Sequence, residues 1–285
     1  MPGAAMRHLI FSAVFHACRK VIAVLALAAA ALPAHADWNK LQQSGALRVA
    51  VYNEFAPFSD HGAGIDIDLA EALAKKLKLR LTLLPFPAGE NLGDDLRNMV
   101  WKGHYLGYGP ADVLLHVPVD SHLMAENDKV QIFAPYHVEA VRLVRSAQAI
   151  PAFDSIEALA GKRVGVEKVS IAAMVLLGEG NGRFRDNVRI FPSAAAALEE
   201  LKAGRLDAVL ANRSEIEAVF RGDPAFPLAQ ATFQRLPRNG WAVGMAVRKD
   251  DQDVARLLQA AVNELRDSGE LQAIFARHGV RMVQP

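Results

Sequence analysis

Apolar and polar positions along this chain switch between two periods, and the switches mark out its elements. Leu47 to Tyr52 (LRVAVY) reads as a strand, and the Asn53 to Gly64 stretch after it, carrying Pro, Gly and Asp, reads as a loop at its carboxyl end. Ile65, Leu69, Leu73 and Leu77 then recur at i+4, with Asp66 and Asp68 in the first turn and Lys75, Lys76 and Lys78 in the last. That stripe, with charges matched to the helix dipole, predicts a helix in which the two aspartates serve only the helix start. Leu81 to Phe86 follows as a strand and Leu92 to Trp101 as a helix. Ala111 to Val117 (ADVLLHV) is a strand whose unbroken apolar run suits a sheet covered on both faces.

The same grammar then recurs. Lys162 to Val166 (KRVGV) echoes LRVAV, Ser170 to Leu177 predicts a helix, Arg189 to Phe191 a strand and Ala194 to Leu201 another helix. Gly204 to Leu210 (GRLDAVL) parallels Gly109 to Leu115 (GPADVLL). Strand and helix in alternation predict a parallel α/β sheet, and the repetition predicts two lobes of about 100 residues each. Two extended apolar segments, Val138 to Val144 and Trp241 to Val247, are candidates to cross between the lobes. Asp250 to Arg266, with apolar Val254, Leu257, Leu258, Ala261 and Leu265, predicts a long amphipathic helix. Leu271 to Phe275 begins a last short one, ended by Gly279, and both are expected to return to the first lobe.

The N-terminus changes the picture of the mature protein. Arg7, Arg19 and Lys20 precede an apolar run, Val21 to Leu32, that ends in Pro33-Ala34-His35-Ala36, the layout of a secretory leader cleaved after Ala36. The run is too short for the ~20 residues of a bilayer span, so the mature protein is expected free of the membrane, in the periplasm. The expected organisation is a leader over 1–36, a first lobe over 37–140, a second over 141–236, and a return to the first over 237–285.

Of 32 basic and 31 acidic residues, three basic ones fall in the leader, leaving 29 against 31 and a net charge of −2. A near-neutral surface with no basic stripe argues against nucleic acid as a partner. The single cysteine, Cys18, also lies in the leader, so no disulfide, thiol nucleophile or thiolate metal site is expected. With 52% hydrophobic and 22% charged residues, disorder is excluded.

LRVAV, then Phe55-Ala56-Pro57-Phe58, then Gly64-Ile65-Asp66-Ile67-Asp68-Leu69-Ala70, together resemble the family 3 extracytoplasmic solute-binding proteins of ABC importers. Phe133-Ala134-Pro135-Tyr136, Gly161 to Val166, and Ala197-Leu198 followed by Gly204 to Ala208 extend the likeness, in order, over residues 45 to 280. The resemblance implies a two-lobed type 2 periplasmic binding fold of class α/β. Each lobe would be a mostly parallel sheet flanked by helices, the two would be joined by two crossing strands, and a ligand would be held between them.

Amino-acid binders of that family hold the ligand carboxylate with an arginine about a dozen residues past the aspartate that matches Asp112. That position is Met124, and no arginine occurs from Val113 to Glu139. The acidic residue that holds the ammonium matches Asn212. Burying a carboxylate without a paired cation costs several kcal/mol, and one lost charged hydrogen bond is worth ~1.5 to 3 kcal/mol. The expectation is therefore a small ligand other than a free α-amino acid.

Mapped through the resemblance, the candidate ligand-binding residues are Glu54, Phe55, His116, Val117, Asp120, Ser170 and Asn212. Asn212 is equally placed to cap the helix that follows, and Phe58 reads as a core aromatic. His116, Asp120 and His122 invite a metal, but their spacing fits no standard pattern, and neither metal nor cofactor is assigned. The glycine-rich His104 to Pro110 insertion, with Tyr105 and Tyr108, would flank the cleft or dock on a partner.

No nucleophile and base pair, Walker loop or dinucleotide fingerprint occurs, so catalysis is not expected. The expected role is a monomeric periplasmic protein that captures a small-molecule ligand for an ABC permease. The alternative is an accessory protein of a periplasmic quinoprotein (methanol or alcohol) dehydrogenase, since divergent proteins of this broad type accompany such enzymes.

Overall fold

The structure, a computed structural model, describes residues 36–233, 236 and 240–285. The expected leader lies outside the described residues except for Ala36, which opens helix α1 (Ala36–Ser44), an element the hydrophobic pattern did not announce. Two five-stranded sheets follow.

The first sheet contains β1 (Ala46–Tyr52), β2 (Arg80–Phe86), β3 (Val113–Pro118), β4 (Val130–Glu139) and, from the end of the chain, β10 (Trp241–Arg248). Its spatial order is β2-β1-β3-β10-β4. The second contains β5 (Val141–Arg145), β6 (Val164–Glu167), β7 (Val188–Phe191), β8 (Ala208–Asn212) and β9 (Leu228–Ala229), ordered β7-β6-β8-β5-β9. In each sheet one strand, β10 or β5, runs against the other four, so the direction is mostly parallel while the pairings divide evenly.

The paired strings in the sequence fold into paired clamps. In the first sheet the Asp112 carboxylate accepts from Arg48 N–H at 2.7 Å, and Asp112 N–H donates back to Arg48 O at 2.9 Å. In the second, the Asp207 carboxylate accepts from Arg163 N–H at 2.8 Å and Asp207 N–H donates to Arg163 O at 2.8 Å. Each aspartate thus starts a central strand one or more residues later than the apolar run suggests, at Val113 and Ala208.

Helices α2 (Ile65–Lys76), α8 (Gln252–Asp267) and α9 (Glu270–Arg277) pack Leu69, Leu73, Leu258, Leu265 and Phe275 into a core on one face of the first sheet. Gly64 sets the start of α2: its φ is +135°, and a Cβ there would lie 2.3 Å from Phe58 O. The expected helix over 92–101 is α-helical only in α3 (Leu92–Leu96) and widens to a π turn over Arg97–Trp101. The widening frees Met99 O for the N–H of Ala111 at 2.7 Å. Another unannounced helix, α4 (Ser121–Glu126), leads from β3 to β4. The second sheet is flanked by α5 (Ile171–Gly178), α6 (Ala194–Lys202) and α7 (Arg213–Phe220).

The segment expected to run unbroken from Val138 to Val144 breaks at Ala140, between β4 of one sheet and β5 of the other. The return passes through Gly240, whose φ is +81° and where a Cβ would sit 1.9 Å from Glu139 O. The two connectors are therefore in backbone contact, which only glycine permits. The last residues cross the same joint: Val283 N–H donates to His137 Nδ1 at 3.2 Å, Val138 N–H to Val283 O at 3.0 Å, and Arg281 N–H to Glu217 of α7 at 2.9 Å.

Candidate functional site

The carboxyl ends of β1 and β3 in one sheet, and of β6 and β8 in the other, carry the residues that α/β folds use for ligands. In the first lobe, Phe55 packs edge-on to His116 with ring centroids 4.7 Å apart, stacks on Phe58 at 5.5 Å and meets Tyr52 at 5.9 Å. Phe58 is 1% exposed and belongs to the core, while Phe55 is half-buried. Glu54, beside it, is exposed with φ +52°.

His116 owes its place to a bulge. Gly244 and Met245, adjacent in β10, pair with Val117 and Leu115, so His116 is the extra residue of β3 and takes φ +60°. Its N–H, turned away from the ladder, donates to Tyr136 Oη at 3.1 Å, and that hydroxyl donates to Asp66 Oδ1 at 2.8 Å. His116 Nδ1 lies 3.3 Å from Asp66 Oδ2, too poorly aligned for a hydrogen bond. Burial and the Asp66 charge push the Tyr136 hydroxyl well up, so it stays a donor. Asp66, expected only to start a helix, is 1% exposed and anchors this network. Asp68 likewise reaches across to Arg277 at 2.8 Å and His278 at 3.0 Å.

In the second lobe a cavity of about 160 Å³ is lined by Glu167, Ser170, Asn212, Glu215 and Trp241, with Ile171, Ala172, Ala194, Leu210 and Ala211 as apolar wall. Ser170 caps α5 by accepting from Ala173 N–H at 3.0 Å and donates to Glu167 O at 2.7 Å. Asn212 is both the N-cap of α7 and a lining residue, its N–H donating to Glu215 Oε2 at 2.8 Å. Burial, reinforced by the charges of Glu167 and Glu139, raises the Glu215 carboxyl to about 8. Burial raises Glu167 and Glu139 as well. Trp241 packs against the cores of both lobes, and Val119 N–H donates to Ala242 O at 2.9 Å, so the 118–120 loop borders the same seam.

Several expected site residues fall elsewhere. Val117 is 0% exposed and packs in the first-lobe core with Phe86, Leu96 and Met99, so it is no cleft residue. Asp120 is the N-cap of α4, accepting from Leu123 N–H at 2.8 Å. His122 is exposed beside Glu126, so the structure does not bring His116, Asp120 and His122 together. The insertion curls on itself, His104 stacking on Tyr108 at 4.2 Å, and it precedes β3, which puts it at the end of the sheet opposite the cleft.

Glu167 and Glu215 are the acidic lining residues that the sequence reading missed. Both had a signal, one directly after the KRVGV strand and the other three residues past a helix cap. Among the described residues no arginine or lysine lines the cavity. Arg97 pairs with Asp94 at 3.6 Å, and Lys168 is exposed.

A probable histidine-binding protein of Neisseria gonorrhoeae is 26% identical over 245 residues, covering 81% of this chain and 82% of that protein. The L-cystine-binding protein TcyJ of Escherichia coli K12 is 24% identical over 265 residues, 89% of this chain and 91% of that one. The chain is a divergent relative of the family 3 solute-binding proteins. No protein-family model matches it. In three dimensions an ancestral cationic amino acid solute-binding protein superposes with a TM-score of 0.67 at 20% identity, over 85% of this chain and 98% of that one, which establishes the two-lobed type 2 periplasmic binding fold. These relatives are named as binding proteins, and none of the three names supports the dehydrogenase-accessory reading.

Proposed function

We propose that this chain is a monomeric periplasmic solute-binding protein that captures a small ligand between its lobes and presents it to an ABC permease, and that the ligand is not a free α-amino acid. The relationship to histidine- and cystine-binding proteins supports the capture role. The clause on the ligand rests on one observation: the second-lobe cavity at the strand carboxyl ends is lined by acceptors and carboxylates, with no arginine or lysine among its described lining residues. Stripping water from that group without a partner costs more than the remaining contacts return.

Scanning calorimetry of the mature chain against amino acids, polyols, short acids, amines and quinone cofactors tests the proposal. A ligand at 100 times its Kd stabilises by ~2.7 kcal/mol, which moves Tm by roughly 5 to 10 °C at this size. Micromolar capture of histidine, cystine or glutamine refutes the ligand clause. Silence toward every solute, with copurification of a dehydrogenase, refutes the capture role.

A further inference from the structure

Two carboxyl groups line the second-lobe cavity, and a third, Glu139, is buried on the crossing strand and acts on one of them through its charge. Glu167 and Glu215 line it beside the hydroxyl of Ser170 and the side chain of Asn212. Glu139, the register partner of Trp241 on the crossing strand, is 1% exposed. Its Oε1 accepts from Ala140 N–H at 2.8 Å, but its Oε2 is buried with no hydrogen-bond partner. The Glu139 and Glu167 charges both act on Glu215, while Arg213 and His116 act on Glu139 and Lys168 on Glu167, so cations face this acidic group from outside the cavity lining.

The rest of the cavity extends the argument from charge to shape. Trp241 gives it an aromatic wall, a favourable surface for a cation. Its volume of about 160 Å³ is below the ~300 to 1,000 Å³ of pockets that take a whole ligand, which suits a head group. Ile171 lines the cavity and is 43% exposed, and near it in the chain Val169, just before α5, is 100% exposed and Met174 61%. Val169 holds φ +57°, a costly conformation for a β-branched residue, and presents its side chain wholly to solvent beside the polar cavity. Acidic groups at the bottom and aliphatic groups at the mouth match a cation on a short hydrocarbon chain.

We infer that the ligand is an alkyl amine or guanidine: a primary ammonium or guanidinium head seated among Glu167, Glu215, Asn212 and Ser170, an aliphatic chain lying over Ile171 and Val169, and no carboxylate. This rests on the solute-binding reading and narrows it to a chemical class. Because the bound cation favours ionised Glu215, binding releases a proton near neutral pH, and affinity rises between pH 6 and 9.

The test is isothermal titration calorimetry of the mature chain with three pairs that differ only by a carboxylate: agmatine and arginine, putrescine and ornithine, histamine and histidine. Glycerol and succinate serve as uncharged and anionic controls. At least one amine is expected to bind tenfold or more tightly than its paired amino acid, with heats that depend on the buffer's ionisation enthalpy because a proton is released. Glu167 accepts from Ala194 N–H, and Glu167→Gln keeps an acceptor there; the variant is expected to weaken the amine tenfold or more, with an unchanged far-UV circular dichroism spectrum confirming the fold.

An amino acid that outcompetes its amine overturns the inference, as does undiminished amine affinity in E167Q. Binding of glycerol or succinate alone overturns the inference and leaves the solute-binding reading standing. Silence from every probe here and from the wider panel above overturns both.

Discussion

Replacing Tyr136 by Phe removes one oxygen from a fully buried position and tests the support beneath the first-lobe platform. The hydroxyl donates to Asp66 Oδ1 at 2.8 Å and accepts from His116 N–H at 3.1 Å. Phenylalanine fills nearly the same volume, so the cost is almost wholly polar. Losing a hydrogen bond to a buried carboxylate is worth ~1.5 to 3 kcal/mol, and leaving a buried N–H unsatisfied adds ~1 to 3 kcal/mol. A destabilisation of about 3 to 5 kcal/mol follows, which at ~2 to 4 °C per kcal/mol lowers Tm by roughly 10 °C. Scanning calorimetry measures it. The exchange rate of the His116 amide, read by NMR, reports whether the bulge loosens specifically. A Tm within ~2 °C of the parent, or an unchanged His116 exchange rate, refutes the claim that the Tyr136 hydroxyl holds His116 in place.

Other expectations are as direct. Gly240→Ala forces a Cβ onto Glu139 O and should lower Tm or block folding, whereas Gly107→Ala, with nothing within 4 Å of its Cβ position, serves as the positive-φ control with a smaller loss. Burial, with Arg213 and His116 nearby, lowers His137 to about 3, against ~6.5 in the unfolded chain. The neutral ring therefore contributes full stability above pH 6.5 that is lost as pH falls toward 3, on the order of 2 kcal/mol by pH 5; His137→Asn should flatten the urea midpoint over that range. Glu215 acts with the opposite sign: raised to about 8, it lowers stability as pH climbs from ~4.5 to 8, so Glu215→Gln should gain on the parent across that window. Val117→Ala should cost about 2 kcal/mol in urea unfolding and leave ligand affinity unchanged, since the side chain packs in the core.

Most strands and helices were legible because their apolar periods were clean, though α1, α4, β9 and most of β4 were not, and the twofold repetition was visible in the parallel strings that became the Asp112 and Asp207 clamps. The bulge at His116 was not, because it arises from the register with β10, a strand more than 120 residues further along. Asp66 sits where a helix-start acid belongs, and only Tyr136, arriving from 70 residues away, shows its second role. Val117 was misread because adjacency to His116 in sequence says nothing about which side of the sheet it faces. Of the polar residues lining the cavity, Ser170 and Asn212 were found by position within strand-to-helix turns. Its acidic residues, Glu167 and Glu215, were hidden because acids near helix starts are usually solvated.

The position of Trp241 has a practical consequence. The chain has three tryptophans, Trp38, Trp101 and Trp241. Trp38 packs only on the first-lobe core and Trp101 is on the surface, while Trp241 touches both cores and lines the cavity. A variant with Phe at positions 38 and 101 would thus carry one intrinsic fluorophore at the joint, its emission reporting domain motion and occupancy without any attached dye.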